Sequence, residues 1–390
     1  MIRPTRPSTL SALLLVALSL GVPVSMVAAG QPAKPRQGTR VPAPARDRSA
    51  TIAPSIRDNA ALVYYSIWMN DNREVMAPFM ESYGDVQYGK ALPKPVADYL
   101  ALRKDDISRM VRAGKMQHCD FGIDRGEGFN VLLPHLGKLR MAARTLNADA
   151  ARCLLEGKPD EAADRYVAIF GLARHAAGDR LLISSLVGIA IATLPEDGLV
   201  DHKVAWQLTP SGRARVLAAI DRLDGAAGFR LKDALEGERE MAVELTIFKY
   251  GGPDAGRRFA DEVLSMAADA SPPPPAQPGS ARAAKDEITD IERIRQMDGE
   301  ALHAEARKLN RFYVEASKVW DAPDATQRLR ELVLEVDRGG FGLLAGPLLP
   351  GVTRSRISQD KGVATLERIA AALRQADAEA AADATNKSTK

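Results

Sequence analysis

Large apolar side chains return every third or fourth residue from Leu62 to Leu373, and period-two runs of β-branched residues are missing throughout. Spacing of that kind gathers apolar groups on one face of a helix and leaves nothing to line the face of a sheet. Leu62, Tyr65 and Trp68 follow it, as do Leu136, Leu139, Ala143 and Leu146. Val216, Leu217, Ile220 and Leu223 repeat it after Thr209 and Pro210, which suit an N-cap and a first helical position. Ile288, Ile291, Ile294 and Met297, then Leu302, Leu309, Phe312, Ala316 and Val319, predict one long helix or two separated at Gly299. The predicted fold class is all-α, a multi-helix array of antiparallel helical hairpins.

Ala148 to Ala176 reads as one such hairpin, with Gly157 at the turn, Pro159 and Asp160 opening the second helix, and Ala162, Tyr166 and Leu172 facing back. A tetratricopeptide array repeats at about 34 residues. Shifts of that size from Ala162 and Tyr166 reach Glu196 and Val200 or Gly128 and Leu132, so the array is at most a degenerate TPR-like solenoid. Leu181 to Leu194 carries no charge and is apolar on nearly every side, which predicts a buried central helix stopped by Pro195.

The amino terminus reads as an export signal over residues 1–29. Arg3 and Arg6 precede an apolar run from Leu10 to Val22, and Val27, Ala28 and Ala29 form a small-residue cleavage site. An uncleaved anchor, the alternative, needs roughly 20 apolar residues, and Pro23 interrupts the run. A Pro/Ala/Arg-rich disordered leader is expected over 30–54, an N-terminal helical body over 55–270, a proline-rich linker over 271–284, a C-terminal helical portion over 285–380 and a frayed polar tail over 381–390. The expected location is periplasmic or extracellular. No span of the membrane is expected in the mature chain.

Residues 1–50 hold seven Arg or Lys and one Asp, so the formal +3 of the whole chain leaves a net −3 for residues 51–390. A slightly acidic body offers no footprint for nucleic acid. Cys119 and Cys153 are the only cysteines, and in an oxidising compartment a disulfide between them persists if their Cα atoms come close enough. The other reading is two small buried thiols.

Polar residues cluster most densely from His118 through Asp120, Asp124 and Glu127 to Asn130, with His135 just beyond. Against the EF-hand pattern, Asp120 and Asp124 fit positions one and five, whereas Gly122, Arg125 and Val131 do not fit three, six and twelve. His118, Asp120 and His135 are the candidate metal ligands, and Asp120, Asp124, Glu127 and His135 the candidate catalytic groups. Neither zinc-type histidine spacing nor an identifiable nucleophile accompanies them. The structural alternative has Asp120 capping the following turn, the glycines supplying positive φ, and His135 packing with Leu136 against the core. Glu236, Glu240 and Glu244 place three carboxylates on one helix face, with Arg239 placed to offset them. Near the carboxy terminus, glycines and prolines flank Phe341, Leu343, Leu344, Leu348 and Leu349, which predicts a loop inserted into the core or docked on a partner or membrane.

Four motifs carry a family resemblance: Asn59-Ala60-Ala61-Leu62 with Tyr64 and Tyr65; Cys119-Asp120-Phe121-Gly122; Leu133-Pro134-His135-Leu136 with Arg140; and Leu172-Ala173-Arg174-His175. Together with Gly346 to Pro350 and Arg368, Ile369, Ala370 and Leu373, they resemble a family of uncharacterised exported all-helical bacterial proteins. The resemblance implies export and a helical fold. It implies no activity and carries no catalytic role onto any residue. With no nucleophile elbow, phosphate loop or metal box in view, the expectation is a non-enzymatic interaction or scaffold protein of the cell envelope, without a cofactor, whose partner is another envelope or exported protein. The alternative is a hydrolase or metal-dependent enzyme built on Asp120, Asp124, Glu127 and His135.

Overall fold

The computed structural model describes residues 58–223, 229–269, 290–345 and 351–388. Among them every regular element is helical, and the one β contact is an isolated bridge between Asn59 and His118. The all-α expectation therefore holds. The expected signal, leader and proline-rich linker lie outside the described residues, as do Gly346 to Pro350.

Four helices form the entry to the fold: α1 (Ala60–Trp68), α2 (Arg73–Ser82), α3 (Lys94–Leu102) and α4 (Lys104–Lys115). The predicted hairpin follows as α5 (Pro134–Leu155) and α6 (Pro159–Ala176). Gly157 makes its turn in the left-handed region at φ 69°, and Pro159 opens α6 where a missing N–H costs nothing. Fully buried Asp149 on α5 ties the pair together, taking Arg152 at 2.7 Å on its own helix and Arg165 at 2.8 Å on α6.

Helix α6 is the hub. It packs against α4, α5, α7 (Leu182–Ala192) and α8 (Pro210–Asp221). Ala163, Ala168, Gly171, Ala173 and Ala176 are all buried on it, and small residues let neighbouring backbones close in from several sides. At the crossing with α4, a Cβ on Gly171 would strike the carbonyl oxygen of Gly114. The centre expected at 181–194 is thus held by α6, with α7 as a buried layer against it. Hydrophobicity marked the buried helix, but residue size decides which helix the others can surround.

Helix α7 ends at Ala192, ahead of Pro195, and the chain resumes as a π-helical turn at Asp197–Asp201. From Leu182 to Asp201 this stretch is long and apolar enough to cross a membrane, and more than half of it is buried against other helices. Helix α8 begins as predicted, with the Thr209 hydroxyl accepting from Gly212 N at 2.9 Å. Helix α9 (Leu231–Arg239) runs into a π-helix at Glu240–Thr246. That change of winding interrupts the glutamate row, and Arg239 bridges Glu236 at 2.6 Å and Glu244 at 2.7 Å.

Beyond α10 (Ala255–Asp269), Asp298 caps α11 (Gly299–Val319) by accepting from Ala301 N at 2.8 Å, which marks the break predicted at Gly299. After α12 (Ala325–Asp337), Phe341, Leu344 and Ala345 insert into the core, with Phe341 edge-on to Phe312. The described part of this loop therefore takes the core-insertion route. Helix α13 (Gly351–Ser388) then lies back over α7 and α8, joined to α8 by Arg213–Asp377 at 2.5 Å and to the segment between the two by Trp206 Nε1 donating to Glu379 at 2.7 Å and Arg368 donating to Glu196 at 2.6 Å. One apolar core runs through both halves. The segment expected to fray from Ala381 instead continues α13 to Ser388, because Ala381, Ala382 and Ala384 extend an existing helix at little cost.

Both cysteines are free, so the disulfide reading is corrected. Cys119 lies beside Arg174 near the end of α6, and Cys153 reaches Glu161 near its start. Those two points on α6 are about 20 Å apart at 1.5 Å per residue, far beyond a disulfide's reach.

Four motifs meet at the candidate functional site

Segments separated by more than a hundred residues converge at the end of α6. Asn59, the N-cap of α1, accepts from Ala61 N at 3.1 Å and Asp120 N at 2.9 Å through Oδ1, while its Nδ2 donates to the Asp120 carbonyl at 2.9 Å. Ala60 N donates to the His118 carbonyl at 3.0 Å. Tyr64 and Tyr65 then point in different directions from α1. The Tyr64 hydroxyl meets His175 Nδ1 at 3.0 Å, and that of Tyr65 donates to the Phe121 carbonyl at 3.0 Å. Phe121 stacks on His135 at 4.2 Å between centroids, and the Tyr64 and Trp68 rings stack against Phe121 as well, at 6.2 and 6.0 Å. Arg174 completes the closure by donating to the Met116 and Gln117 carbonyls, both at 2.6 Å. All four motif segments named above are present in this knot.

The candidate catalytic groups take unlike places in it. The Asp120 carboxylate accepts from Gly122 N at 2.9 Å and that of Asp124 from Gly126 N at 2.8 Å, so each holds a turn of its own loop. Asp120, Asp124 and Glu127 are exposed, whereas His135 is 1% exposed. His135 Nε2 donates to Asp179 Oδ2 at 2.7 Å, and Ser184 Oγ donates to the same oxygen at 2.9 Å. The other ring nitrogen, Nδ1, is buried without a partner. His118 is half-buried, and no group of three or more metal-ligating side chains occurs among the described residues. Asp179 and Ser184 escaped the sequence reading, and Arg125, which donates to the Asp179 carbonyl at 2.6 Å, entered it only as a misfit to the EF-hand pattern. Asp179 sits 44 residues from His135, in a turn with no periodic pattern to mark it.

The glycine-rich loop owes its composition to what lies beneath it. Its 3-10 turn, Arg125–Asn130, packs on the π-helix at Glu240–Thr246. Gly128 sits at φ 59°, ψ −129°, where a side chain is strained, and a Cβ there would collide with Thr246 Oγ1. Gly128→Ala is expected to destabilise the protein by about 1–3 kcal/mol, seen as a lower urea midpoint. Gly122 has φ 67° and open space around it, so Gly122→Ala should lose only the backbone component. Equal losses at the two positions would show that the Thr246 contact has no weight.

Two titratable groups shifted by desolvation, buried His175 and half-buried Glu238, give the fold opposing pH responses. Burial, with the Arg174 guanidinium adding to it, draws His175 down from 6.5 to about 4, and Nε2–H donates to the Met116 carbonyl at 2.9 Å. Burial raises Glu238, which accepts from Leu182 N at the start of α7, from 4.5 to about 7. The unfolded chain protonates His175 first, so its contribution is whole above pH 6.5 and is lost as pH falls through 4. The folded chain keeps the Glu238 proton longer, so that contribution is whole below pH 4.5 and is lost as pH rises through 7. In Glu238→Gln the histidine response is left alone. Its melting temperature is expected to fall further than wild type on acidification from pH 7 to 4.5; parallel profiles for the two proteins would rule this out.

Compared with protein-family models, with curated proteins and with solved structures, the chain gives no match. Function is therefore argued from the site alone.

Proposed function

We propose that this is an exported helical protein of the cell envelope that works by binding another exported or envelope protein, without catalysis. One observation carries the reading: an apolar row on the outside of α1, next to the motif knot. Ala60, Ala61, Tyr64 and Ile67 face the core, whereas Leu62, Tyr65 and Met69 are 45%, 37% and 86% exposed. Residues at these intervals share one helix face. The knot supports this face from behind, since Tyr65 and Trp68 rest on Phe121, Phe121 on His135, and His135 on Asp179. Exposed apolar rows on rigid backing are a common form of protein interface.

A photo-crosslinking residue at position 69 in the full chain, expressed in its own host, is expected to trap a discrete partner. Adding Leu62→Glu should abolish the adduct with no change in melting temperature. If the adduct survives that charge, or never forms, the interface reading fails. The enzyme reading rests on a single feature, the unpartnered Nδ1 of His135, whose ring stacks on Phe121 of the loop that carries exposed Asp120 and Asp124. It requires a hydrolytic activity that Asp120→Ala removes from a protein of unaltered stability.

A further inference from the structure

The outward row of α1 keeps a definite spacing. Leu62, Tyr65 and Met69 follow one another by three and then four positions, the interval at which one helix seats another along its length, whereas a strand repeats every two. From Asn59 to Asn70 the chain carries no charged side chain, so α1 supplies an apolar seam and nothing to choose a partner by. Charge stands on its flanks instead. Helical geometry places Trp68 on one side of the row and Ser66 on the other. Beside Trp68 lies the loop of Phe121, whose ring stacks on Trp68 and whose carbonyl takes the Tyr65 hydroxyl. That loop exposes Asp120, Asp124 and Glu127, and none of the three forms an ion pair among the described residues. Beside Ser66 lies α4, which runs antiparallel to α1, since Asp71 meets Arg103 and Ala60 meets His118. Arg109 of α4 donates to Ser66 Oγ and pairs with Asp106 at 3.2 Å, and Arg112, one turn further on, is exposed and forms no ion pair among the described residues.

Where helices pair, the apolar seam supplies the attraction, and the charges flanking it select the partner and its direction. Carboxylates on one flank and guanidinium groups on the other call for the reverse order across the incoming helix. Resting on the interface reading above, we infer that this face takes an amphipathic helix of the partner, with Lys or Arg along the edge beside Asp120 and Asp124 and with Asp or Glu along the edge beside Arg109 and Arg112. Turned end for end, such a helix brings each edge to the wrong flank, so it binds in one direction.

The test titrates the full chain into three labelled synthetic helices of about three heptads that share one Leu seam. One has a Lys edge and a Glu edge, one has Lys on both edges, and one has Glu on both. By fluorescence anisotropy at low salt, the mixed helix is expected to bind roughly fivefold or more tightly than either uniform one. Asp120→Asn with Asp124→Asn removes two charges but keeps both turns, because an amide oxygen still accepts from Gly122 N and Gly126 N. In that variant the lead of the mixed helix over the all-Glu helix should shrink to about twofold or less, and Leu62→Gln should weaken all three. Equal binding of the three helices, binding of none, an unaltered preference in the double variant or indifference to Leu62→Gln would each overturn the proposal. An adduct at position 69 that joins two copies of this chain, or two parts of one copy, names a different occupant and overturns it as well. An adduct with another protein beside equal binding of the three helices leaves the interface reading standing and removes the charge order alone.

Discussion

Gly171→Ala is expected to cost about 3 kcal/mol or more, at or above the top of the range usual for overpacking. The added methyl would meet the backbone oxygen of Gly114, which cannot rotate aside as a side chain can. Relief requires α4 to lift from α6, and with it the Met116 and Gln117 carbonyls that Arg174 and His175 hold. The loss should therefore appear both in urea unfolding and in faster amide exchange along α4. Gly137 provides the contrast. It is an exposed position of α5 with nothing within 4 Å of a new Cβ, and Gly137→Ala should stabilise by about 0.5–1 kcal/mol. Equal effects at the two glycines would remove the close helix crossing from the account.

Asp179→Ala is expected to be of similar or larger size, about 3–5 kcal/mol, the usual loss when one member of a buried pair is deleted. It strands His135 Nε2 and Ser184 Oγ together, since both donate to the same carboxylate oxygen. The mechanism makes a second statement. If the loss comes from the stranded imidazole, His135→Phe in the Asp179→Ala background should recover part of it, because a phenyl ring keeps the stack on Phe121 and asks for no acceptor. Strictly additive effects of the two substitutions would place the cost elsewhere.

Much of this architecture could be read from the order of residues. The Thr209 cap, the Gly157 turn, the break before Gly299 and the Arg239 clamp all depend on neighbours within five positions, and sequence displays such neighbours directly. The face that α1 turns outward was harder to see. Leu62, Tyr65 and Trp68 mark a helix correctly, but Ala60, Ala61, Tyr64 and Ile67 mark one equally well, and only the packing shows which stripe is inside. The polar cluster posed the same difficulty. Its carboxylates hold local turns, as the structural alternative supposed, while the acceptor that decides the environment of His135 comes from a turn far along the chain. The Gly128 requirement is likewise invisible locally, because the obstacle is Thr246.

The return of α13 across α7 and α8 has a kinetic side. Arg213 finds Asp377 across 164 positions, Trp206 finds Glu379 across 173, and Gly362 lies so close to Ile189 that a Cβ there would come within 2.8 Å. Contacts so distant along the chain slow folding. During synthesis α7, the most apolar of the described helices, waits for its cover until α13 emerges, and over that interval a chaperone has its widest opportunity to hold the nascent polypeptide.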